Sequence, residues 1–199
     1  MKILHYIPTY APAWKFGGPV RSTATLCEAL ARAGHEVEVL TTDAGLERES
    51  SIPRGRPVDR GGVRVTYFPV IPGLGIRCPE LQKAVQTRLK SFDLIHVTGV
   101  WQRTAPAAYR AAGAARIPLV VSTRGALSRY SWTQRRWRKL AYFFLWERPG
   151  LRRAAGIHYT SRMEEQECRH YRFPGRRVVI PNPIDLDFWR RDEAGGRHW

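Results

Sequence analysis

The sequence predicts an α/β fold with a mostly parallel sheet and helices on both faces of that sheet. Short apolar segments alternate along the chain with longer segments whose apolar residues recur at helical spacing, which gives about seven strands and six helical segments. The first strand is predicted from Lys2 to Ile7. Strict alternation of this kind favours parallel crossover units. In such sheets, ligands bind beyond the carboxyl ends of the strands.

The first crossover unit shows the pattern. Residues 20–33 have a helical apolar face, and Gly34 can end the helix in a left-handed conformation. A strand at 36–40 follows at once. Residues 43–61 are polar and rich in Gly, Pro and Arg, so they are predicted to form a loop. Further strands are predicted at 63–68, 93–98, 118–122, 156–160 and 177–180, and further helices at 79–91, 105–115, 133–147, 151–155 and 162–171.

Length and composition describe one ordinary globular domain. The chain has 199 residues, of which 43% are hydrophobic and 25% are charged, which is typical of folded proteins. No apolar run reaches the roughly eighteen residues of a membrane-spanning helix, and the apolar start is too short for a signal peptide. The expected location is the cytoplasm, with peripheral attachment to the inner face of the cell membrane as an alternative. The three cysteines, Cys27, Cys78 and Cys168, are far apart and are expected to be free thiols.

The net charge of +16 arises from 33 Lys and Arg residues against 17 Asp and Glu residues. A field of this sign attracts a phosphate-bearing substrate, an acidic membrane face or nucleic acid. The alternative is that a general preference for Arg raises the surface charge. No nucleic-acid motif accompanies the charge, so nucleic acid is not an expected partner.

Two glycines stand between the first strand and the first helix. Gly17 and Gly18 would let the backbone approach a ligand closely, and the amino end of a helix favours an anion such as a diphosphate. The segment matches neither the G-x-G-x-x-G fingerprint nor a Walker A loop, which argues against a nicotinamide cofactor and against ATP hydrolysis. A tight turn without a ligand is the alternative interpretation.

Polar residues also follow two later strands. His96 and Thr98 are two residues apart on one strand and therefore share a face, and Trp101 follows in the next loop. Arg124 lies just beyond a buried strand, where its guanidinium could bind a phosphate or a carboxylate. These four residues are candidates for an acceptor site or cleft. The alternatives are a core histidine and a structural salt bridge.

Basic and aromatic residues are interleaved between Ser131 and Arg153. This composition suits contact with an anionic membrane surface, although single-stranded nucleic acid is bound with the same side chains and packing onto the sheet would use the same aromatics. The candidates for membrane contact are Trp132, Arg135, Arg136, Arg138 and Lys139. No catalytic residue is assigned, because no nucleophile triad, metal-ligand cluster or carboxylate pair stands out. Glu164 and Glu165 are interpreted as part of a solvated helix face.

Taken in order, these segments resemble the amino-terminal domain of retaining glycosyltransferases of family 4. The resemblance covers nearly the whole chain and is carried by Gly17-Gly18, residues 29–37, 92–101 and 122–127, the helix ending at Trp146-Glu147-Arg148, and residues 180–185. It implies a Rossmann-like domain, one half of a GT-B architecture. It also implies that residues 1–181 form the acceptor-side domain and that 182–199 begin an interdomain linker. The carboxy-terminal, donor-binding domain is expected to be absent or supplied by another chain.

The resemblance assigns roles to several positions. Gly17 and Gly18 match the loop against the donor diphosphate, and Arg124 matches an arginine of the acceptor cleft. Many members of the family carry a second histidine where this chain has Thr98. The implied activity is transfer of a sugar from a nucleotide-sugar donor, a substrate rather than a cofactor, to a cell-surface polysaccharide or a lipid-linked acceptor. No cofactor and no metal are expected. A non-catalytic domain that binds a phosphorylated ligand or an anionic membrane is the alternative.

Overall fold

A computed structural model of the chain describes residues 1–47, 51–73, 75–133 and 136–184. Within them, eight strands form a single sheet. They are β1 (Lys2–Tyr6), β2 (Glu36–Thr42), β3 (Pro57–Arg60), β4 (Val63–Phe68), β5 (Leu94–Thr98), β6 (Leu119–Ser122), β7 (Gly156–Tyr159) and β8 (Arg176–Val179). The spatial order is β3-β4-β2-β1-β5-β6-β7-β8. All neighbouring pairs are parallel except β3 and β4.

Helices connect the strands of the parallel part. They are α1 (Gly18–Arg32), α2 (Pro79–Arg88), α3 (Ala105–Ala115), α4 (Arg129–Thr133), α5 (Arg136–Tyr142), α6 (Arg148–Arg153) and α7 (Arg162–Cys168). A π-helical turn, Phe143–Glu147, joins α5 to α6, so residues 148–153 extend the helix predicted at 133–147, one of the two arrangements that the sequence allows for 151–155. Within the residues that the structure describes, no helix combines the length and the apolar character needed to cross a membrane.

The predicted loop at 43–61 is wrong in one part, because it contains β3. This edge strand pairs antiparallel with β4, with Val58 opposite Val65. Gly61 and Gly62 connect the two strands with φ values of +61° and +82°. A two-residue hairpin turn of this kind requires positive φ at both positions, which glycine adopts without strain. The Gly-Gly pair was therefore the sequence signal for a hairpin.

The two faces of the sheet carry different helices. Leu4 and Tyr6 of β1 point into a large apolar cluster that includes buried residues of α2, α3, α6 and α7. The alternate residues of the strands, such as Val39 and Val65, join a smaller cluster with Ala24 of α1. Among the described helices, α1 alone contributes to this second cluster. We call the two sides the α3 face and the α1 face. Helices on both faces of a mostly parallel sheet confirm the predicted fold class.

Candidate functional site

The amino end of α1 is open to solvent. Gly17 has φ +75° and ψ −145°, a conformation that is essentially restricted to glycine, and α1 begins at Gly18. A Cβ atom added to either residue would meet no other atom within 4 Å. Pro19 has no N–H group and fits the first turn. The partial positive charge at the start of this 15-residue helix therefore faces free space in which an anion can bind.

Arg124 brings a guanidinium to the same end of α1. It follows β6 with a φ of +52°. Its Nη1 atom donates hydrogen bonds to Oγ of Ser22, at 3.2 Å, and to Oδ1 of Asn182. Its Nε and Nη2 atoms are buried and have no hydrogen-bond partner within the described residues. Burial lowers the pKa of Arg124, and nearby Glu164 partly offsets this. The described residues thus leave two of the hydrogen-bond donors of Arg124 unused.

Glu164 fixes the loop that carries Arg124. Its carboxylate is buried and accepts hydrogen bonds from the backbone N–H of Gly125 at 2.6 Å, from that of Thr160 at 2.7 Å, and from the hydroxyl of Thr123. Burial alone would raise the pKa of Glu164, but these hydrogen bonds outweigh it and lower the pKa below its usual value. Glu164 is therefore a positioning residue for the Arg124 loop.

Glu165 is also buried, where it pairs with Arg169 at 3.1 Å and with Arg177 at 3.5 Å. The interpretation of Glu164 and Glu165 as a solvated face is therefore wrong. The burial of Glu164 depends in part on Thr123 and Gly125, which are 41 and 39 residues away in the chain and which no local pattern reveals. One local signal was present, since Ser161 precedes Glu164 by three residues and caps α7 through a 3.1 Å bond to the Glu164 N–H.

A row of histidines crosses the α1 face of the sheet. His5 of β1 lies opposite His96 of β5, with ring centroids 4.6 Å apart. Nε2 of His96 lies 2.6 Å from Oγ of Ser122, which lies 2.6 Å from Nδ1 of His158. Nε2 of His158 lies 2.8 Å from the carbonyl oxygen of Ile180. The sequence interpretation singled out His96 and missed its partners, because neighbouring parallel strands bring them together.

The pKa of each of the three histidines of this row is lowered, which favours the neutral imidazole. Burial is the largest cause in each case, and the positive charge of Arg124 adds to it. The pKa of His5 falls to about 3, and the pKa of His96 lies well below its usual value. A neutral, buried imidazole is suited to hold neighbouring groups by hydrogen bonds rather than to carry a charge.

Thr98 lies two residues beyond His96 on the same face, as the sequence predicted. Its side chain is 2% exposed, and its hydroxyl has no hydrogen-bond partner within the described residues. The next residue, Gly99, has a φ of +90° and donates its N–H to the carbonyl oxygen of Ser122 at 2.8 Å. Thr98 therefore ends its strand with a buried hydroxyl group that the described residues leave without a partner, at the edge of the sheet where the parallel strands end.

Trp101 separates from the other predicted site residues. Its ring belongs to the α3 face, 5.1 Å from the ring of Trp132 and 6.0 Å from that of Phe143. Its Nε1 atom donates to the carbonyl oxygen of Ala126 at 2.7 Å. The structure thus gathers Gly17, Gly18, Thr98 and Arg124 on the α1 side of the strand ends, and it leaves Trp101 outside that group.

The buried side chain of Glu147 fixes the position of the loop that contains Trp101. Its fully buried carboxyl group accepts hydrogen bonds from the backbone N–H of Trp101 at 2.8 Å and from the hydroxyl of Tyr109 at 2.9 Å. Burial raises the pKa of Glu147 to about 7, although these hydrogen bonds act in the opposite direction. The π-helical turn that ends at Glu147 directs this side chain inward, a use for which such turns are known.

The residues considered for membrane contact occupy different environments. Trp132 is half-buried in the aromatic cluster, and Nζ of Lys139 donates to Oγ of Ser131 at 3.0 Å. Arg135 lies outside the described residues, and so do the side chains of Arg136 and Arg138. The exposed apolar side chains of this helical region are Tyr130, Trp137, Phe144, Leu145 and Trp146.

Clustered metal ligands are not found in the described part of the chain, where no three His, Cys, Asp or Glu side chains could hold a metal ion together. The groups at the open edge are instead donors: helix N–H groups, a guanidinium and a hydroxyl. Such a set binds phosphate oxygens, because every one of these groups can donate a hydrogen bond to an anionic acceptor.

The fold and this edge define the chain as a Rossmann-like half of a GT-B architecture. The sequence profile of a protein family described as "Glycosyl transferase 4-like domain" matches residues 17–183. The chain belongs to this family of glycosyltransferase domains, which confirms the resemblance inferred from the sequence. A comparison with curated proteins gives no match.

Solved structures show the same fold. HepE from Anabaena, in complex with UDP-glucose, is similar with a TM-score of 0.59 and 20% identity over 95% of this chain. Sucrose-phosphate synthase from Thermosynechococcus elongatus gives a TM-score of 0.55 and 16% identity, and the match covers 97% of this chain and 96% of that one. UGT73P12 from Glycyrrhiza uralensis, in complex with glycyrrhetinic acid 3-O-monoglucuronide, gives a TM-score of 0.51 and 14% identity. That match covers 89% of this chain and 48% of the UGT73P12 chain. This chain spans 46% of the HepE chain, or about half its length.

Proposed function

We propose that the chain is the acceptor-side half of a glycosyltransferase that uses a nucleotide-sugar donor. The observation that carries the proposal is the set of unused donors at the open end of α1. Gly17 and Gly18 leave space at the helix start, and Arg124 has two buried nitrogens without partners among the residues that the structure describes. The donor diphosphate is the ligand that such a set fits best.

These groups would act on the leaving nucleotide diphosphate. Negative charge grows on the diphosphate as the bond to the sugar breaks, and fixed donors stabilise that charge most strongly in the transition state. The Arg124 guanidinium and the start of α1 are held in place before the ligand arrives, Arg124 by Ser22 and its loop by Glu164. The free hydroxyl of Thr98 would contact the sugar or the acceptor at the same edge.

The proposal includes a second domain that holds the nucleotide, on this or another chain. Its support is that HepE, which binds UDP-glucose, is about twice as long as the matched region. The proposed acceptor is a cell-surface polysaccharide or a lipid-linked sugar. The nucleotide-sugar is a substrate, so the reaction as proposed uses no further cofactor.

Contact with an anionic membrane is a second part of the proposal, and the exposed apolar side chains favour it. Trp137 is 81% exposed and Leu145 is 63% exposed. Arg148, Arg152 and Arg153 follow on the same long helix. Exposed aromatic and aliphatic residues next to arginines are the composition of helices that lie at the surface of anionic membranes.

Titration calorimetry of the full chain with UDP at low salt tests the diphosphate site. Arg124→Gln is expected to weaken UDP binding about tenfold, since a hydrogen bond to a charged group contributes roughly 1.5–3 kcal/mol. Arg32→Gln is the matched control, because it removes the same charge from the far end of α1. If Arg124→Gln and Arg32→Gln bind UDP equally well, the proposed diphosphate site is wrong.

Cosedimentation with phosphatidylglycerol vesicles tests the membrane contact. The double variant Trp137→Ser, Leu145→Ser is expected to lose most of the bound fraction. Met163→Ser, at a 71% exposed position on α7, is expected to bind as the unaltered chain does. Equal binding of all three proteins would remove membrane contact through this helix from the proposal.

A further inference from the structure

A cavity of about 660 Å³ opens on the α3 face, between α2, α3 and the long helix that includes α5. Its size falls within the range of small-molecule sites. The side chains on which the argument depends are Trp101, Arg103, Arg110, Lys139, Tyr142 and Trp146. This cavity is separate from the proposed diphosphate site, because α1 and Arg124 lie on the α1 face of the sheet.

The cations of the cavity have no acidic partners among the described residues. Arg103 and Arg110 take part in none of the ion pairs there, and no carboxylate lines the cavity. What distinguishes these cations is their position, because Arg103, Arg110 and Lys139 line one concave space and concentrate positive charge there.

Two further features strengthen the positive field. Lys139 is half-buried, with Nζ 5.3 Å from the centroid of the Trp101 ring, and burial lowers its pKa. The first turn of the 11-residue helix α3 also lines the cavity, through Pro106 and Ala107, and adds the partial positive charge of a helix start. An anion in the cavity would offset the cost of holding Lys139 away from water.

Aromatic rings form the rest of the wall. Tyr142 and Trp146 lie with ring centroids 5.2 Å apart, and the Tyr142 hydroxyl donates to the carbonyl oxygen of Gln102 at 2.7 Å. This bond ties the wall to the loop that precedes α3. Flat, fixed aromatic surfaces bind an organic body at a low cost in conformational entropy. The cavity therefore offers both an anion site and a surface for an apolar or ring-shaped group.

We propose that this cavity binds a phosphate monoester whose organic body packs on Tyr142 and Trp146, while Arg103, Arg110 and Lys139 bind the phosphate. A sugar phosphate in solution and a phosphorylated lipid headgroup both present this chemistry. Either ligand goes beyond the proposed diphosphate site, because it uses different residues on the opposite face of the sheet.

Titration calorimetry on the full chain tests the proposal with three probes: glucose 1-phosphate, soluble dihexanoyl phosphatidic acid and inorganic phosphate. At least one of the two organic probes is expected to bind about tenfold or more tighter than inorganic phosphate, because only these fill the aromatic part of the cavity. The probe that binds more tightly identifies the source of the ligand. If neither binds more tightly than inorganic phosphate, the proposal is overturned.

Substitutions of the residues that line the cavity test whether the preferred probe binds there. Arg103→Gln and Arg110→Gln are each expected to weaken the preferred probe about tenfold, whereas Arg32→Gln on α1 leaves its affinity unchanged. Trp146→Ala is expected to reduce the preference over inorganic phosphate, with Met163→Ala as the control for an exposed apolar residue outside the cavity. Arg110→Lys keeps the charge and serves if the Gln variant folds poorly. Unchanged affinity in both Arg103→Gln and Arg110→Gln would contradict the proposal.

Discussion

The α1 face and the α3 face belong to the same strands but bury different chemistry. The α1 face holds the row from His5 to His158 together with the free hydroxyl of Thr98. The α3 face holds apolar residues and a cluster of aromatic rings, with Glu147 as its buried ionisable group next to Trp101. The α1 face therefore carries buried polar groups near the carboxyl ends of the strands, and the α3 face carries the larger apolar cluster.

The difference follows from the alternation of side chains along each β-strand. Each strand sends successive side chains to opposite faces, so residues one position apart can serve different purposes. In β1, Leu4 and Tyr6 enter the apolar cluster, whereas His5 between them faces His96. A substitution on one face can therefore leave the contacts of the other face in place. Three predictions use this separation, from the largest expected effect to the smallest.

Phe143→Ala is expected to reduce the free energy of unfolding by about 3–5 kcal/mol, the usual cost of removing a buried phenyl ring. Phe143 is 3% exposed. The centroid of its ring lies 5.2 Å from that of Trp132 and 5.3 Å from that of Tyr171. Phe144→Ala is the control at a 54% exposed neighbour and is expected to cost far less. Urea unfolding measures both. Similar losses in the two variants would show that the aromatic cluster does not stabilise the α3 face.

Glu147→Gln is expected to remove a decrease in the free energy of unfolding that the unaltered chain shows as the pH rises from about 4.5 to about 7. The pKa is raised from 4.5 to about 7, so the folded chain keeps a proton that the unfolded chain releases. The stability that depends on this proton is complete below about pH 4.5 and is lost as the pH rises to about 7, by about 3 kcal/mol. Urea unfolding from pH 4.5 to 7.5 should show this loss relative to Glu147→Gln. Glu80→Gln, at an exposed position, is the control, and parallel curves for the unaltered chain and Glu147→Gln would contradict the prediction.

His5→Phe is expected to remove a decrease in the free energy of unfolding that the unaltered chain shows as the pH falls. The pKa of His5 is lowered from 6.5 to about 3, so only the unfolded chain takes up a proton between these values. The unaltered chain therefore loses stability on acidification, by about 2 kcal/mol between pH 6.5 and 5. Phe fills a similar space and takes up no proton. The same unfolding series, with exposed His170→Phe as the control, tests this, and an equal acid loss in His5→Phe would refute it.

Much of the fold could be predicted from periodicity alone, because helices and buried strands leave strong local patterns. The positions of Gly17 at a helix start, of Thr98 at the end of a strand and of Arg124 just beyond one were also predictable, whereas their roles in a site stay predictions. The role of Glu164 was not, because its partner Gly125 is 39 residues away in the chain. The face on which Trp101 packs was not predictable either, because its ring lies against Trp132 and Phe143, which are 31 and 42 residues further along the chain.

The sequence by itself determined the α/β class, the order of strands and helices, and the glycosyltransferase family to which the chain belongs. It did so because hydrophobic periodicity and short motifs are local properties. Only the tertiary structure decided which side chains meet: His96 with Ser122 and His158, Arg124 with Ser22, and the cations of the cavity with one another. The register of parallel strands and the packing of helices set those contacts, and both depend on the whole chain at once.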